Sequence, residues 1–327
     1  MGINLMLCVF IFAFTALFTA YLEKKLIPIL ENKAKQPIYE GGPSWHSSKS
    51  GTPTMGGLAF VLTIAIIVSV VGIFRFFIGS NDKTAISLFI GILFAIGNAI
   101  IGVFDDLTKL RRKENAGLTP IQKLLFQFLL AIIFLMARAY FLNDSTSVSL
   151  SFGKFDLGAF YYPLAILMLV GIVNCANLTD GIDGLATSVA WMIGAIFFIV
   201  GLSAATDGAI LSSALMGGTI AFLFFNVNPA KVFMGDTGSL FLGALVCAIA
   251  FTFDNPFALL LIGIIYVIEG ASVILQVLSY KLSGKRIFKM APLHHHLEQS
   301  GYRENTICIY AIIVTLIFSI PALLFLN

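Results

Sequence analysis

Charge is what this chain has least of. Asp, Glu, Lys and Arg make up only 11% of its 327 residues, against roughly 25% in a soluble domain. The 58% hydrophobic content excludes an ordinary water-soluble globule and marks a polytopic membrane protein. A net charge of +3, with lysines and arginines confined to a few loops, leaves no basic footprint for nucleic acid. Cys8, Cys175, Cys247 and Cys308 show neither a CxxC pair nor ligand spacing, so they are packing residues. Walker A and GxGxxG sequences are absent, which excludes the usual glycine-rich nucleotide cradles. The first apolar run has no basic residue before it and Glu23, Lys24 and Lys25 after it. That order is the reverse of a secretory signal, so the run is expected to stay as an anchor. With no internal repeat and no soluble domain boundary, residues 1–327 read as a single membrane domain.

Stretches of roughly 17 to 25 apolar residues predict about ten spans. They are Ile3 to Leu22, Gly56 to Ile78, Ala85 to Phe104, Ile121 to Leu142, Phe160 to Ala176, Leu185 to Leu202, Ala209 to Asn226, Ser239 to Phe253, Phe257 to Tyr280 and Thr306 to Leu326. Sixteen of the 20 lysines and arginines then fall in the odd-numbered loops or, for Lys123, just inside span four. This bias puts the odd loops in the cytoplasm and both termini outside. Val148 to Leu157 alternates apolar and polar residues around Gly153-Lys154, which predicts a small external β-hairpin. The expected fold is therefore an all-α polytopic membrane protein with a cytoplasmic-facing cleft.

The polar outliers occupy the five odd loops, one segment in each. Lys49 to Gly57 reads KSGTPTMGG, Asp105 to Lys109 reads DDLTK, and Asn174 to Leu185 reads NCANLTDGIDGL. Asn228 to Ser239 reads NPAKVFMGDTGS, and Ala291 to Glu298 reads APLHHHLE. Asn174, Asn177, Asp180 and Asp183 recur in steps of three, which puts neighbours on one slowly rotating helical face. Such residues at the mouth of a span mark a substrate or ion site, or else a polar turn. Asp105 and Asp106 close span three, and Lys109 lies within pairing distance of either on a continuing helix. Hard oxygen donors gathered from several loops suit Mg²⁺. Asp236, between Gly235 and Gly238, is either a metal ligand or a helix cap. Phe233 either returns the chain to the membrane or stacks on a nucleobase. His294, His295 and His296 make a poor zinc site without Cys or HExxH. Consecutive rings point different ways, so at most two face one ligand.

Together these five segments resemble the polyprenyl-phosphate N-acetylhexosamine-1-phosphate transferase superfamily, and the triple His with TPTMGG resembles its phospho-N-acetylmuramoyl-pentapeptide transferases. The resemblance runs in order from Lys49 to Glu298. It implies transfer of phospho-MurNAc-pentapeptide from its UDP carrier to undecaprenyl phosphate in a bacterial plasma membrane, giving lipid I and UMP, with Mg²⁺ required. By the same resemblance Asp105, Asp106 and Asp236 are the essential acids, Asp236 the metal ligand, His294 the catalytic His, and Phe233 the platform for uracil. The resemblance also implies that Lys49, Thr54, Asn174, Asn177, Asp180 and Asp183 line the nucleotide-sugar cleft; Lys109 and Lys123, as nearby positive charges, and His295 and His296 are expected as further substrate contacts. A bent ninth span and a homodimer are also implied. Glu269 and Gln276 lie in that span, where an uninterrupted lipid-facing helix would not carry them. A GlcNAc-1-phosphate transferase is the nearest alternative, and APLHHHLE argues against it. An ion-coupled transporter would place acids at mid-membrane within internal repeats, and neither is present.

Overall fold

The structure, a computed structural model, describes residues 5–34, 49, 51–78, 82–112, 117–150 and 153–326. Lys35 and Lys113 of the loop comparison lie outside the described residues. The long helices are α1 (Leu5–Lys33), α2 (Gly57–Ile78), α3 (Asp82–Arg112), α4 (Pro120–Leu142), α5 (Tyr161–Thr179), α6 (Leu185–Ser203) and α7 (Gly208–Asn226). They are followed by α8 (Gly235–Ala250), a short α9 (Leu259–Ile262), α10 (Ile264–Ser283), a short α11 (Leu293–Glu298) and α12 (Glu304–Ala322). Among the described residues nine helices are long and apolar enough to cross a bilayer, against about ten expected; α8, where the eighth span was expected, is apolar but shorter.

α8 is the post around which the others stand. Every residue from Thr237 to Ala250 is buried, as expected of a helix apolar on all sides. It packs against α2, α3, α5, α6 and α7. Small residues set how closely the backbones approach. A Cβ on Gly57 would stand 2.5 Å from the Cα of Gly238, and one on Gly102 of α3 would overlap the carbonyl of Asp236.

Several boundaries differ from the expected ones, because hydropathy ends where charge begins whereas helical hydrogen bonding does not. α1 continues past Leu22 to Lys33, so Glu23 is a fully buried helical residue, in line with buried Thr15 and Thr19. α3 likewise runs on to Arg112, which places Asp105, Asp106 and Lys109 inside the helix. α8 begins at Gly235, four residues before the expected Ser239, and Asp236 lies in its first turn. The ninth span is broken at Gly263, between α9 and α10. Gln276 of α10 is occupied rather than lipid-facing: its Oε1 accepts from the backbone of Ile287 and Phe288, and its Nε2 donates to the Phe288 carbonyl.

The hairpin is present, with β1 (Ser147–Leu150) antiparallel to β2 (Gly153–Asp156). Its turn differs from the expected one. Leu150 pairs with Gly153 and Ser149 with Lys154, so Gly153 and Lys154 belong to β2. Asn255 ties the hairpin to the end of the bundle where α8 finishes, donating to the Ser149 carbonyl at 2.8 Å. At that end Arg138 donates to Asp144 and to the Phe251 carbonyl.

Two glycines separate close packing from helix propensity. Gly57→Ala is expected to lower stability by about 1–3 kcal/mol through overpacking. Gly171→Ala in α5, where nothing lies within 4 Å of the added carbon, is expected to be neutral or stabilising by up to about 1 kcal/mol. Thermal unfolding in detergent checks both, and equal losses would contradict the packing at α8.

Candidate functional site

The N-terminus of a helix leaves backbone N–H groups without partners inside the helix. At α8 they meet Asp106, which reaches across from α3. Oδ1 of Asp106 accepts from the N–H of Asp236 at 3.0 Å, and Oδ2 accepts from the N–H and hydroxyl of Thr237 at 2.9 and 2.7 Å. A carboxylate at the positive end of a helix is well placed electrostatically. Gly235 begins this turn at φ 71°. A Cβ there would stand 2.6 Å from Asp106 Oδ2 and 3.0 Å from Oγ1 of the buried Thr54.

Asp105 turns the other way, since adjacent helical side chains diverge by about 100°. It is fully buried and faces both lysines. Lys109 lies 2.7 Å from Oδ2, Lys123 lies 2.9 Å from Oδ1, and the N–H of Leu118 donates to Oδ1 at 2.7 Å. Lys123 is aimed by the start of α4. There Thr119 and Gln122 form a reciprocal capping box, with Pro120 at the first helical position. The same two lysines hold Asp236, Lys123 at 2.6 Å and Lys109 at 3.3 Å. Asn177 of α5 donates to Asp236 Oδ1 at 3.1 Å and to Ser239 at 2.8 Å. Asp105, Asp106 and Asp236 can each offer an oxygen, all within 4.8 Å of one another. Three hard oxygen donors at this spacing fit a divalent cation such as Mg²⁺. Asp236 is the most accessible of the three, at 14% side-chain exposure.

A second knot joins Lys49 to Asp183 and Glu304, both at 2.7 Å. Asp183 also accepts from Asn228 Nδ2 and from the N–H of Ala230, each at 3.0 Å, and its own N–H donates to Glu304. Burial alone would lower the Lys49 ammonium, but the hydrogen bonds and charges of Asp183 and Glu304 outweigh it and hold the group above the ordinary lysine value. Residues 53–56 pair with the segment before α8. The N–H of Phe233 donates to Pro53 and that of Gly56 to Phe233, leaving the Phe233 ring half-buried. Asn174 is held by Gln127 at 2.6 Å and by the Val170 carbonyl at 2.8 Å.

The three histidines separate as their helical positions require. His294 is fully buried against Gly181, with Nδ1 at 3.1 Å from Glu269. His295 faces Glu298 at 2.7 Å, and His296 accepts from the Lys289 N–H and packs on Phe288. All five polar segments thus converge at one end of the bundle. Sequence reasoning passed over Glu304, Gln127 and Asn228 as site residues. Asn228 stood inside a quoted segment and Glu304 opens the last apolar run, but neither had a visible partner.

The model of glycosyl transferase family 4 matches residues 85–254, and the phospho-N-acetylmuramoyl-pentapeptide-transferase signature 1 matches residues 49–61. The phospho-N-acetylmuramoyl-pentapeptide-transferase of Clostridium perfringens (strain SM101 / Type A) is 45% identical over 299 residues, 90% of this chain and 88% of its own. That of Halalkalibacterium halodurans is 43% identical over 93% of each chain. The Carboxydothermus hydrogenoformans protein of the same name is 41% identical over 89% of this chain and 90% of its own.

Asp180, just past the end of α5, carries a carboxyl raised well above the ordinary range. Burial is the main cause, followed by the charges of Asp236, Asp106 and Asp183, with Lys109 opposing. Above the unfolded value, about 3.9, the folded chain therefore holds a proton that the unfolded chain has lost, and stability falls as pH rises toward the folded value. Asp180→Asn removes this dependence. The variant is expected to melt higher than the parent near pH 7.5, with the gap narrowing toward pH ~4. A gap that stays constant or widens on acidification would contradict the raised carboxyl.

Proposed function

Because this chain belongs to the phospho-N-acetylmuramoyl-pentapeptide transferases, we propose that it carries out the first membrane step of peptidoglycan synthesis. In this reading it moves phospho-MurNAc-pentapeptide from UDP-MurNAc-pentapeptide to undecaprenyl phosphate, forming lipid I and UMP. The observation that carries the proposal is the cluster of Asp105, Asp106 and Asp236 around Lys109 and Lys123, at the point where five sequence-distant segments meet. The excess of Lys and Arg in the odd loops supports a cytoplasmic site with both termini outside.

The acceptor is a phosphate monoester whose second pKa is about 6, so near neutral pH its oxygen is already largely ionised and needs little help from a base. The difficulty is bringing this dianion to an anionic pyrophosphate, which calls for positive charge and alignment. Lys109 and Lys123 supply fixed positive charge beside Asp236. Asp236, with Asp105 and Asp106 behind it, would hold Mg²⁺, and the ion would supply further charge neutralisation for the phosphates. Asp106 acts as a strut: both its oxygens are engaged by the α8 N-terminus, which disfavours it as a nucleophile. Phe233, held by backbone bonds to Pro53 and Gly56, offers a ring for uracil. Lys49, Thr54, Asn174, Asn177, Asp180 and Asp183 form the walls that hold the rest of the nucleotide sugar, and His294 to His296 close one side.

UMP release by the purified protein in detergent tests this reading. Release is expected to require UDP-MurNAc-pentapeptide, undecaprenyl phosphate and Mg²⁺ together, and Lys123→Met is expected to slow it about 10²-fold. Turnover of UDP-GlcNAc in place of the pentapeptide substrate would overturn the choice of sugar. Release of UMP and a trapped phospho-Asp without lipid would overturn the proposed direct attack, in which the acceptor oxygen bonds to the sugar-bearing phosphorus as its bond to UMP breaks.

A further inference from the structure

Glu269 is a carboxylate in the middle of an apolar run, and the site as described leaves it without a task. Its side chain is nearly fully buried in α10 and accepts twice from one residue. The backbone N–H of His294 donates to Oε2 at 3.3 Å, and Nδ1 of the same residue lies at 3.1 Å. His294 is itself 0% exposed. A carboxylate is an acceptor only, so this contact places a proton on Nδ1 and fixes the plane of the ring. The remaining atom is Nε2, which is buried and has no hydrogen-bond partner among the described residues. It points at Gly181, in the turn that carries Asp180 and Asp183, and any Cβ at Gly181 would overlap it. An unpaired buried imidazole nitrogen costs free energy unless something meets it.

Building on the transferase reading above, we propose that Glu269 is a positioning residue: it holds His294 as the Nδ1-protonated tautomer so that Nε2 is presented to a phosphoryl oxygen of the substrate or its proton. A neutral ring accepts at Nε2 and an imidazolium donates there, so in either state the same atom faces the reacting groups. Gly181 is part of the device, since only glycine leaves room for the ring edge that carries Nε2. The ring of His295 stands 4.2 Å away at 63° and turns to Glu298 instead, so it does not compete for Glu269.

A double-mutant cycle separates positioning from mere packing. Glu269→Ala is expected to lower kcat by about 10- to 100-fold, with KM for UDP-MurNAc-pentapeptide changed less than about twofold. In a His294→Ala background the same substitution is expected to change kcat less than about threefold. Glu269→Gln, whose Oε1 can still accept from Nδ1, is expected to recover most of the activity. An equal loss in both backgrounds, a loss carried by KM alone, or a Gln variant no better than Ala would overturn the proposal. Side-chain ¹⁵N spectra of the wild-type protein give a measurement independent of how the variants fold. An Nδ1-protonated His294 is expected, and an Nε2-protonated one would overturn the assignment. Wild-type turnover is the reference: its failure would sink the transferase reading, while the ¹⁵N result would still decide the Glu269–His294 pair.

Discussion

The structure depends most on the N-terminus of α8. A helix of 16 residues is about 24 Å long at 1.5 Å per residue, shorter than the roughly 30 Å hydrocarbon core, and this one is buried almost from end to end. Its first N–H groups end inside the protein, where unpaired donors would be costly. Asp106 meets that need from a different helix. Glycines 57, 102 and 238 let α2, α3 and α8 come close enough for it to do so. Once Asp106 is fixed, its neighbour Asp105 must point elsewhere, toward the start of α4 and Lys123. Asp236, one residue into α8, then stands between the two.

The charge balance of the site follows from this local solution. Three carboxylates in one buried place repel each other and need cations, which Lys109 and Lys123 provide in the protein itself. The same arrangement suits a divalent ion. The second knot, Lys49 with Asp183 and Glu304, joins the first loop, the α5–α6 turn and the start of α12. It keeps the walls of the site together without taking part in the acidic cluster.

Much of this was legible in the sequence. Polar segments are conspicuous in so apolar a chain, and their recurrence in alternate loops already implied one shared site. The opposed directions of Asp105 and Asp106 follow from helical geometry alone, as does the divergence of the three histidines. What could not be read was pairing across long separations. Glu304 is an ordinary helix-starting acid until Lys49, 255 positions earlier, lands on it. Gln127 sits unnoticed in an apolar run until Asn174 reaches it. Glu269 was visible as an anomaly, but nothing in its own neighbourhood named His294. Hydropathy misplaced the ends of α1 and α8 for a related reason. Glu23 and Asp236 are polar residues that tertiary burial keeps within helices, and a window of local hydropathy has no access to that burial.

The proposed transfer is a single in-line displacement at phosphorus beside Asp236, Lys109 and Lys123. Its most direct test is the configuration of the transferred phosphorus, read by turning over UDP-MurNAc-pentapeptide made chiral at the β-phosphorus with sulfur. Inversion in the lipid product is the predicted result, because one displacement inverts once. Retention would mean two displacements through a phosphorylated side chain, and would contradict the account.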